Sequence, residues 1–265
     1  MAIIIDPISP VAFSVLGFDV RWYALAYIAG FVLGFWLLKK LILSDNSQVS
    51  LSKKQFDDFF SFIVLGVIIG GRLGYVLFYN LPFLVANPLE IFAVWHGGMS
   101  FHGGLLGVII ATFLFGHRNK VNGMVLLDLL AVVAPIGLFF GRIANFINME
   151  VMGRQTNVPW AVVFAGDTNV PRHPSPLYEA TLEGIILFVI MLCLYKFTNL
   201  RNRPGALAGI MGMLYALFRS FCELFRAPDV QIGFLTSWGL TMGQFLSGIL
   251  FLGGALLFAF AFRKK

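Results

Sequence analysis

The chain has 265 residues, 58% of them hydrophobic and 12% charged, with 29 phenylalanines and a formal net charge of +6. A mean hydropathy of +0.85 excludes an ordinary soluble domain or a disordered chain and predicts an all-α polytopic membrane protein. Its two cysteines, Cys193 and Cys222, lie in apolar runs at no metal-ligand spacing, and so point to neither a disulfide framework nor a zinc site.

The first twenty residues carry Asp6, Pro7, Pro10 and Asp19 without a basic leader ahead of an apolar core, so no cleaved signal peptide is expected. Seven runs then approach the roughly 20 residues needed to cross hydrocarbon: 22–43, 58–79, 98–116, 123–142, 176–195, 205–226 and 239–262. Between them no soluble domain of any size fits. The whole chain, 1–265, reads as a single membrane-embedded domain with a small insertion at 143–175.

Loop charge alternates along these runs. Lys39, Lys40, Lys53, Lys54, Arg118, Lys120, Lys196, Arg201, Arg203 and Arg263 to Lys265 fall on one face, which the positive-inside rule makes cytoplasmic. The N-terminus is then outside and the C-terminus inside. All the lysines are used in this way, and the basic residues left over are arginines: Arg21, Arg72, Arg142, Arg154, Arg172, Arg219 and Arg226. Arginine offers a planar fork of donors that matches phosphate or carboxylate and stays charged when dehydrated, so their distribution points to recognition of an anionic group.

Depth and helical spacing gather these groups near the outer surface. Tyr215, Arg219, Glu223 and Arg226 share one face of the sixth span, where Glu223 can pair either arginine. Arg72, Tyr75 and Tyr79 share a face of the second, and Arg142, Asn145 and Met149 a face of the helix continuing past Gly141. Glu179 and Glu183 open the fifth span at the same level. A polar cavity walled by several helices is expected. Interfacial anchoring is the competing account for Arg21, Tyr27, Arg154 and Arg172. Arg72 and Arg219 lie deeper, where a charge costs about 2.5–3.5 kcal/mol even on the lenient insertion scale and calls for a partner or ligand. For Arg219, Glu223 could be that partner, making the pair structural.

Two stretches stand out. GRIANFINMEVMGR (141–154) concentrates arginines, asparagines and a glutamate at the end of an apolar run. HGGMSFHGG (96–104) carries two histidines, each followed by a glycine pair that lets backbone or ligand approach closely. His102 falls within the span and has the acid-base range to move a proton near neutrality. His96 is secondary.

Together with HPSPLYEA (173–180), YALFRSFCELFRAPD (215–229), RWYALAYIAGF (21–31) and GGRLGYVLFYN (70–80), these motifs resemble the prolipoprotein diacylglyceryl transferase family over essentially the whole chain. The resemblance implies a bacterial inner-membrane enzyme that moves the diacylglyceryl group of phosphatidylglycerol onto the lipobox cysteine of a preprolipoprotein, releasing glycerol phosphate. It would work toward the periplasmic leaflet as the first step of lipoprotein maturation, with 143–175 as a short periplasmic loop. No metal, organic cofactor or nucleic-acid partner is implied. Carried over by motif, the catalytic positions are His102, Arg142, Arg219, Tyr23 and Glu223. The substrate-binding ones are Arg142, Asn145, Glu150, Arg226 and Arg72. The chemistry fits these residue types: a thiol needs a base or positive field to become thiolate, and a leaving phosphate is stabilised by arginine donors. A transporter or flippase for an anionic lipid or organic phosphate is the alternative, but no internal duplication is visible. An intramembrane protease lacks support, as neither G-x-S-x-G nor a membrane aspartate pair is present.

Overall fold

The structure is a computed structural model and describes residues 2–6, 8–43, 48–79, 81, 85, 87–92, 98–164, 170–228, 233–237 and 239–263. Asn80, His96, Asp229, Lys264, Lys265 and the side chain of Tyr79 lie outside the described residues.

Seven apolar helices carry the described chain: α1 (Trp22–Ile42), α2 (Lys53–Tyr79), α3 (Phe101–Asn119), α4 (Gly123–Ile147), α5 (Ser175–Phe197), α6 (Ala206–Cys222) and α7 (Met242–Ala261). Six are long and apolar enough to cross a bilayer; α6, with 17 residues, is shorter than that. Local chemistry sets several ends. The Ser100 side chain caps α3 by accepting from the Gly103 N–H at 3.2 Å, and Lys120 closes it in the left-handed region at φ 57°. Thr241 and Gln244 form a reciprocal capping box at the start of α7. Lys39 and Lys40 occupy the last turn of α1, where cations favour the helix dipole.

The all-α expectation holds for the spanning part, while two small sheets occur outside it. Strand β1 (Ile3–Ile5) pairs in parallel with β4 (Val162–Phe164), Ile3 opposite Val162. Strands β2 (Val11–Val15) and β3 (Phe18–Arg21) form an antiparallel hairpin turning at Leu16 and Gly17. These segments are three to five residues long, too short to make a stable helix and long enough for a strand pair.

By contacts the chain divides into two compact units. One comprises residues 39–129, the other residues 1–38 and 130–265. Within the first, α2 and α3 pack through a stripe of glycines. A Cβ on Gly70 would lie 2.4 Å from the Gly103 carbonyl oxygen, and one on Gly66 2.7 Å from that of Gly107. Small residues four apart let two helices approach to backbone contact in lipid, where no hydrophobic force separates helix from solvent. The glycine pair after His102 is thus used at Gly103 for helix packing. Below it the unit is filled by Phe56, Phe59, Ile63 and Phe115. In the second unit α6 meets α7 at Gly209 and Gly254, and Ala206, Leu207, Leu187 and Met191 are fully buried.

Candidate active site

The polar stretch after α4 is built by a helix that outlasts its apolar run. α4 continues past the end of its apolar run at 142, as expected, and reaches Ile147, so Arg142 and Asn145 stay on helical backbone while Met149, expected on the same helix face, lies beyond its end. The chain then turns through two non-glycine residues in the left-handed region, Met149 at φ 56° and Val151 at φ 58°. For a β-branched valine this conformation is strained. The buried Ser175 hydroxyl holds it by donating to the Val151 carbonyl at 3.0 Å. Glu150, between the two, is exposed, and its carboxylate accepts from the side-chain amides of Asn145 at 3.1 Å and Asn148 at 3.5 Å.

Arg142 faces inward to α5. Its Nε and Nη2 donate to Glu183 Oε2 at 3.2 and 2.9 Å, and its Nη1 lies 2.8 Å from Glu179 Oε2 as an ionic contact without hydrogen-bond alignment. On the other side of Glu179, Oε1 accepts from Arg219 Nη1 at 2.8 Å and lies 3.7 Å from Arg226 Nη1. Arg219 also donates to Glu223, whose second oxygen accepts from the Thr241 hydroxyl at 2.7 Å. Glu223 Oε1 is 3.6 Å from Arg226 Nε. Tyr215 lies buried within electrostatic reach of Glu183, Arg142 and Arg219. Three guanidinium groups and three carboxylates therefore interlock. The Arg142 and Arg219 side chains are 17% and 11% exposed, while those of Glu179 and Glu183 are 0% exposed. The carboxylates are thus more deeply buried than the arginines that they pair.

α5 widens where it meets this cluster. Its first turn, Ser175–Glu179, is α-helical, Ala180–Ile186 is a π-helix, and Leu187–Phe197 is α-helical again. Such π-turns are rare and often mark functional positions. Glu179 ends the first turn and Glu183 sits within the π segment. Gly184 beside it lies against α4, where a Cβ would come within 2.7 Å of the Phe139 Cβ.

α6 was expected to run to 226 and ends at Cys222. The residues beyond it pair with the 152–154 segment through an isolated bridge: Arg154 N–H bonds the Phe225 carbonyl at 2.7 Å and Ala227 N–H that of Met152 at 3.2 Å. The Arg154 side chain completes the link by donating to the carbonyls of Arg226 at 2.9 Å and Glu223 at 3.3 Å. Arg154 thus caps the end of α6 rather than serving only as an interfacial anchor. Loss of the last helical turn does not part Glu223 from Arg219 and Arg226, as the spacing anticipated.

Of the sequence-derived candidates, Arg142, Asn145, Glu150, Arg219, Glu223, Arg226 and Tyr23 belong to the unit of residues 1–38 and 130–265. Tyr23, half-buried at the start of α1, stacks its ring 5.2 Å from that of Tyr27, which feels the charge of Arg142. Arg72 and His102 belong to the unit of residues 39–129. Arg72 is buried, with its guanidinium 5.9 Å from the Tyr75 ring centroid. His102 is exposed in the first turn of α3. Glu179 and Glu183, expected at the level of the arginines, are in addition the direct partners of Arg142 and Arg219, which the sequence did not show. Their one legible signal was two carboxylates a turn apart at the head of an apolar helix, which demand cations.

Beside the cluster, His173 Nδ1 lies 3.1 Å from the Tyr178 hydroxyl, which also accepts from Trp160 Nε1 at 2.6 Å. Burial holds the His173 pKa below its usual 6.5, favouring the neutral ring. Its stabilising contribution is complete above the unfolded value near 6.5 and is lost as pH falls through the lower folded value. Acidification from about pH 7 to 5 is therefore expected to lower the melting temperature of the protein more than that of His173→Phe. Equal slopes in a thermal melt would show that the ring does not titrate on unfolding.

The comparison with known proteins adds a family. The family model described as prolipoprotein diacylglyceryl transferase matches residues 10–260. A phosphatidylglycerol--prolipoprotein diacylglyceryl transferase of Azospirillum brasilense is 52% identical over 266 residues, covering 100% of this chain and 98% of the relative. The proteins of that name from Rhodospirillum rubrum and Bradyrhizobium diazoefficiens are 51% and 48% identical, covering 97% and 96% of this chain and 94% and 92% of their own lengths. Six helices of spanning length and matches along nearly the whole chain make this a multi-pass membrane protein that belongs to the prolipoprotein diacylglyceryl transferase family.

Proposed function

We propose that this protein transfers the diacylglyceryl group of phosphatidylglycerol to the lipobox cysteine of a preprolipoprotein in the bacterial inner membrane, the first step of lipoprotein maturation. The observation that carries this reading is the interlocked Arg142, Arg219 and Arg226 cluster, whose side chains are partly exposed. In the transfer, the cysteine sulfur forms a bond to the terminal glycerol carbon of the diacylglyceryl group. The bond between that carbon and the phosphate oxygen breaks, and glycerol phosphate leaves with the electron pair. The thiol proton passes to a base, for which His102 is proposed.

Arg142 and Arg219 are proposed as the donors to the phosphate oxygens, where negative charge grows as the carbon–oxygen bond lengthens. Such preorganised donors are worth about 10²- to 10³-fold each in rate. Asn145, Glu150, Arg226 and Arg72 are proposed to bind substrate, and Tyr23 and Glu223 to complete the catalytic set. With N-terminus out and C-terminus in, the proposed working face is the periplasmic leaflet. In this reading residues 143–175 form a short periplasmic loop within one membrane-embedded domain.

Membranes containing the protein are expected to move labelled diacylglyceryl from phosphatidylglycerol to a lipobox peptide, and the peptide with serine for cysteine is expected to receive none. Movement of lipid across the bilayer with no covalent product would instead support a lipid transporter and overturn the transferase reading.

A further inference from the structure

We propose that Glu179 is a positioning residue that sets the spacing and orientation of the Arg142 and Arg219 guanidinium groups. The proposal rests on the phosphate-binding role assigned above to those arginines. Two like charges side by side at low dielectric repel, and long side chains lose orientation unless something fixes them. Glu179 supplies that link with one carboxylate: Oε2 stands 2.8 Å from Arg142 Nη1 and Oε1 2.8 Å from Arg219 Nη1, with Arg226 Nη1 at 3.7 Å. The group is fully buried and sits where the α-helical turn of α5 gives way to the π segment.

Glu183 is placed differently, although it carries the same charge and burial. Its Oε2 takes both Nε and Nη2 of Arg142, while its Oε1 stands 3.9 Å from Arg219 Nη1, too far for the close ionic contact of 2.8 Å that Glu179 Oε2 makes with Arg142; among the described residues neither of these two oxygens accepts a hydrogen bond. The atoms therefore predict an asymmetry between two otherwise similar substitutions. A glutamine at 183 can keep its carbonyl on Arg142 and turn its amide nitrogen into the unpartnered Oε1 position. A glutamine at 179 must point its amide nitrogen at one guanidinium or the other, donor against donor, so one arginine is released whichever way it turns. If the carboxylates served only to balance charge, the two substitutions would be equivalent.

The test uses the full-length protein, purified in detergent and assayed against phosphatidylglycerol and a lipobox peptide, with thermal melts in parallel. Glu179→Gln is expected to lower kcat/KM for the lipid by about 10²-fold or more, the scale of a small misplacement of catalytic groups, with the peptide KM unchanged. Glu183→Gln is expected to lose at least about ten-fold less. Should Glu179→Gln fail to fold, Glu179→Asp keeps the charge but is one methylene too short to span both arginines. It is expected to show the same lipid-side loss. Equal losses in the two glutamine variants, or wild-type lipid kinetics per folded molecule in either Glu179 variant, would overturn the assignment. Absence of transfer by the wild-type protein would instead sink the functional reading on which it rests.

Discussion

Arg142→Lys is expected to leave the protein folded in the membrane and to lower transfer by about 10²-fold or more, the value of one oriented donor to a developing oxyanion. The conservative substitution is the informative one. Lysine keeps a positive charge near Glu183 and Glu179, but a single ammonium cannot replace three guanidinium nitrogens that face two carboxylates. Arg142→Ala confounds two effects, since it also strands Glu183, whose only other cation within 4 Å among the described residues, Arg219, stands 3.9 Å away. Removing one partner of a buried ion pair costs about 3–5 kcal/mol, so the alanine variant should lose both activity and melting temperature. Measuring the rate per folded molecule separates them. Transfer by Arg142→Lys within a few-fold of wild type would remove Arg142 from the phosphate contact and leave it a structural member of the network.

Gly153→Ala is expected to destabilise the protein and disable the site together. A Cβ at this position would stand 2.1 Å from the His173 carbonyl oxygen and 2.7 Å from its Cβ, and neither can swing aside as the end of a long side chain could. The neighbouring backbone is committed on both sides: His173 N–H bonds the Arg154 carbonyl at 3.0 Å, and Gly153 bridges to Arg226. Relieving the clash must shift the segment that carries Arg154, and with it the contacts to the Glu223 and Arg226 carbonyls. Overpacking of this kind costs about 1–3 kcal/mol, enough to lower the melting temperature by several degrees in a protein of this size. The displaced end of α6 should lower transfer by at least about ten-fold, because small misplacements of catalytic groups are costly. A variant with wild-type melting and wild-type rate would show that the 152–154 segment moves freely without consequence for the cluster.

Gly153 was visible in the sequence only as a member of GRIANFINMEVMGR, and Gly103 as part of a glycine pair open to close approach by backbone or ligand. Of those two uses Gly103 serves the first, a backbone contact to Gly70 across α2 and α3. Nothing in a single sequence distinguishes the two uses, since both require the same missing Cβ. The helix ends differ for a similar reason. Hydropathy placed α4 about five residues short and α6 about four residues long, because each end is decided by pairing partners. Asn145, Asn148 and Ser175 hold the turn after α4, and the backbone and side chain of Arg154 pair with residues 223–226 just past the end of α6.

What the sequence determined by itself was the class of protein, its apolar helices, the segregation of arginine from lysine and the shared face of Arg219, Glu223 and Arg226. These follow from composition and from the fixed rotation of one helix, which act within a few residues. The partners of the arginines were decided only by the tertiary structure. Arg142 meets Glu183 across 41 residues of sequence and Arg219 meets Glu179 across 40. Such pairs depend on how α4, α5 and α6 lie against one another and on a π-turn in α5, while helical periodicity carries no information about the distance between two helices. Burial then makes the pairing obligatory, because a carboxylate removed from water must find its cation wherever the fold has put it.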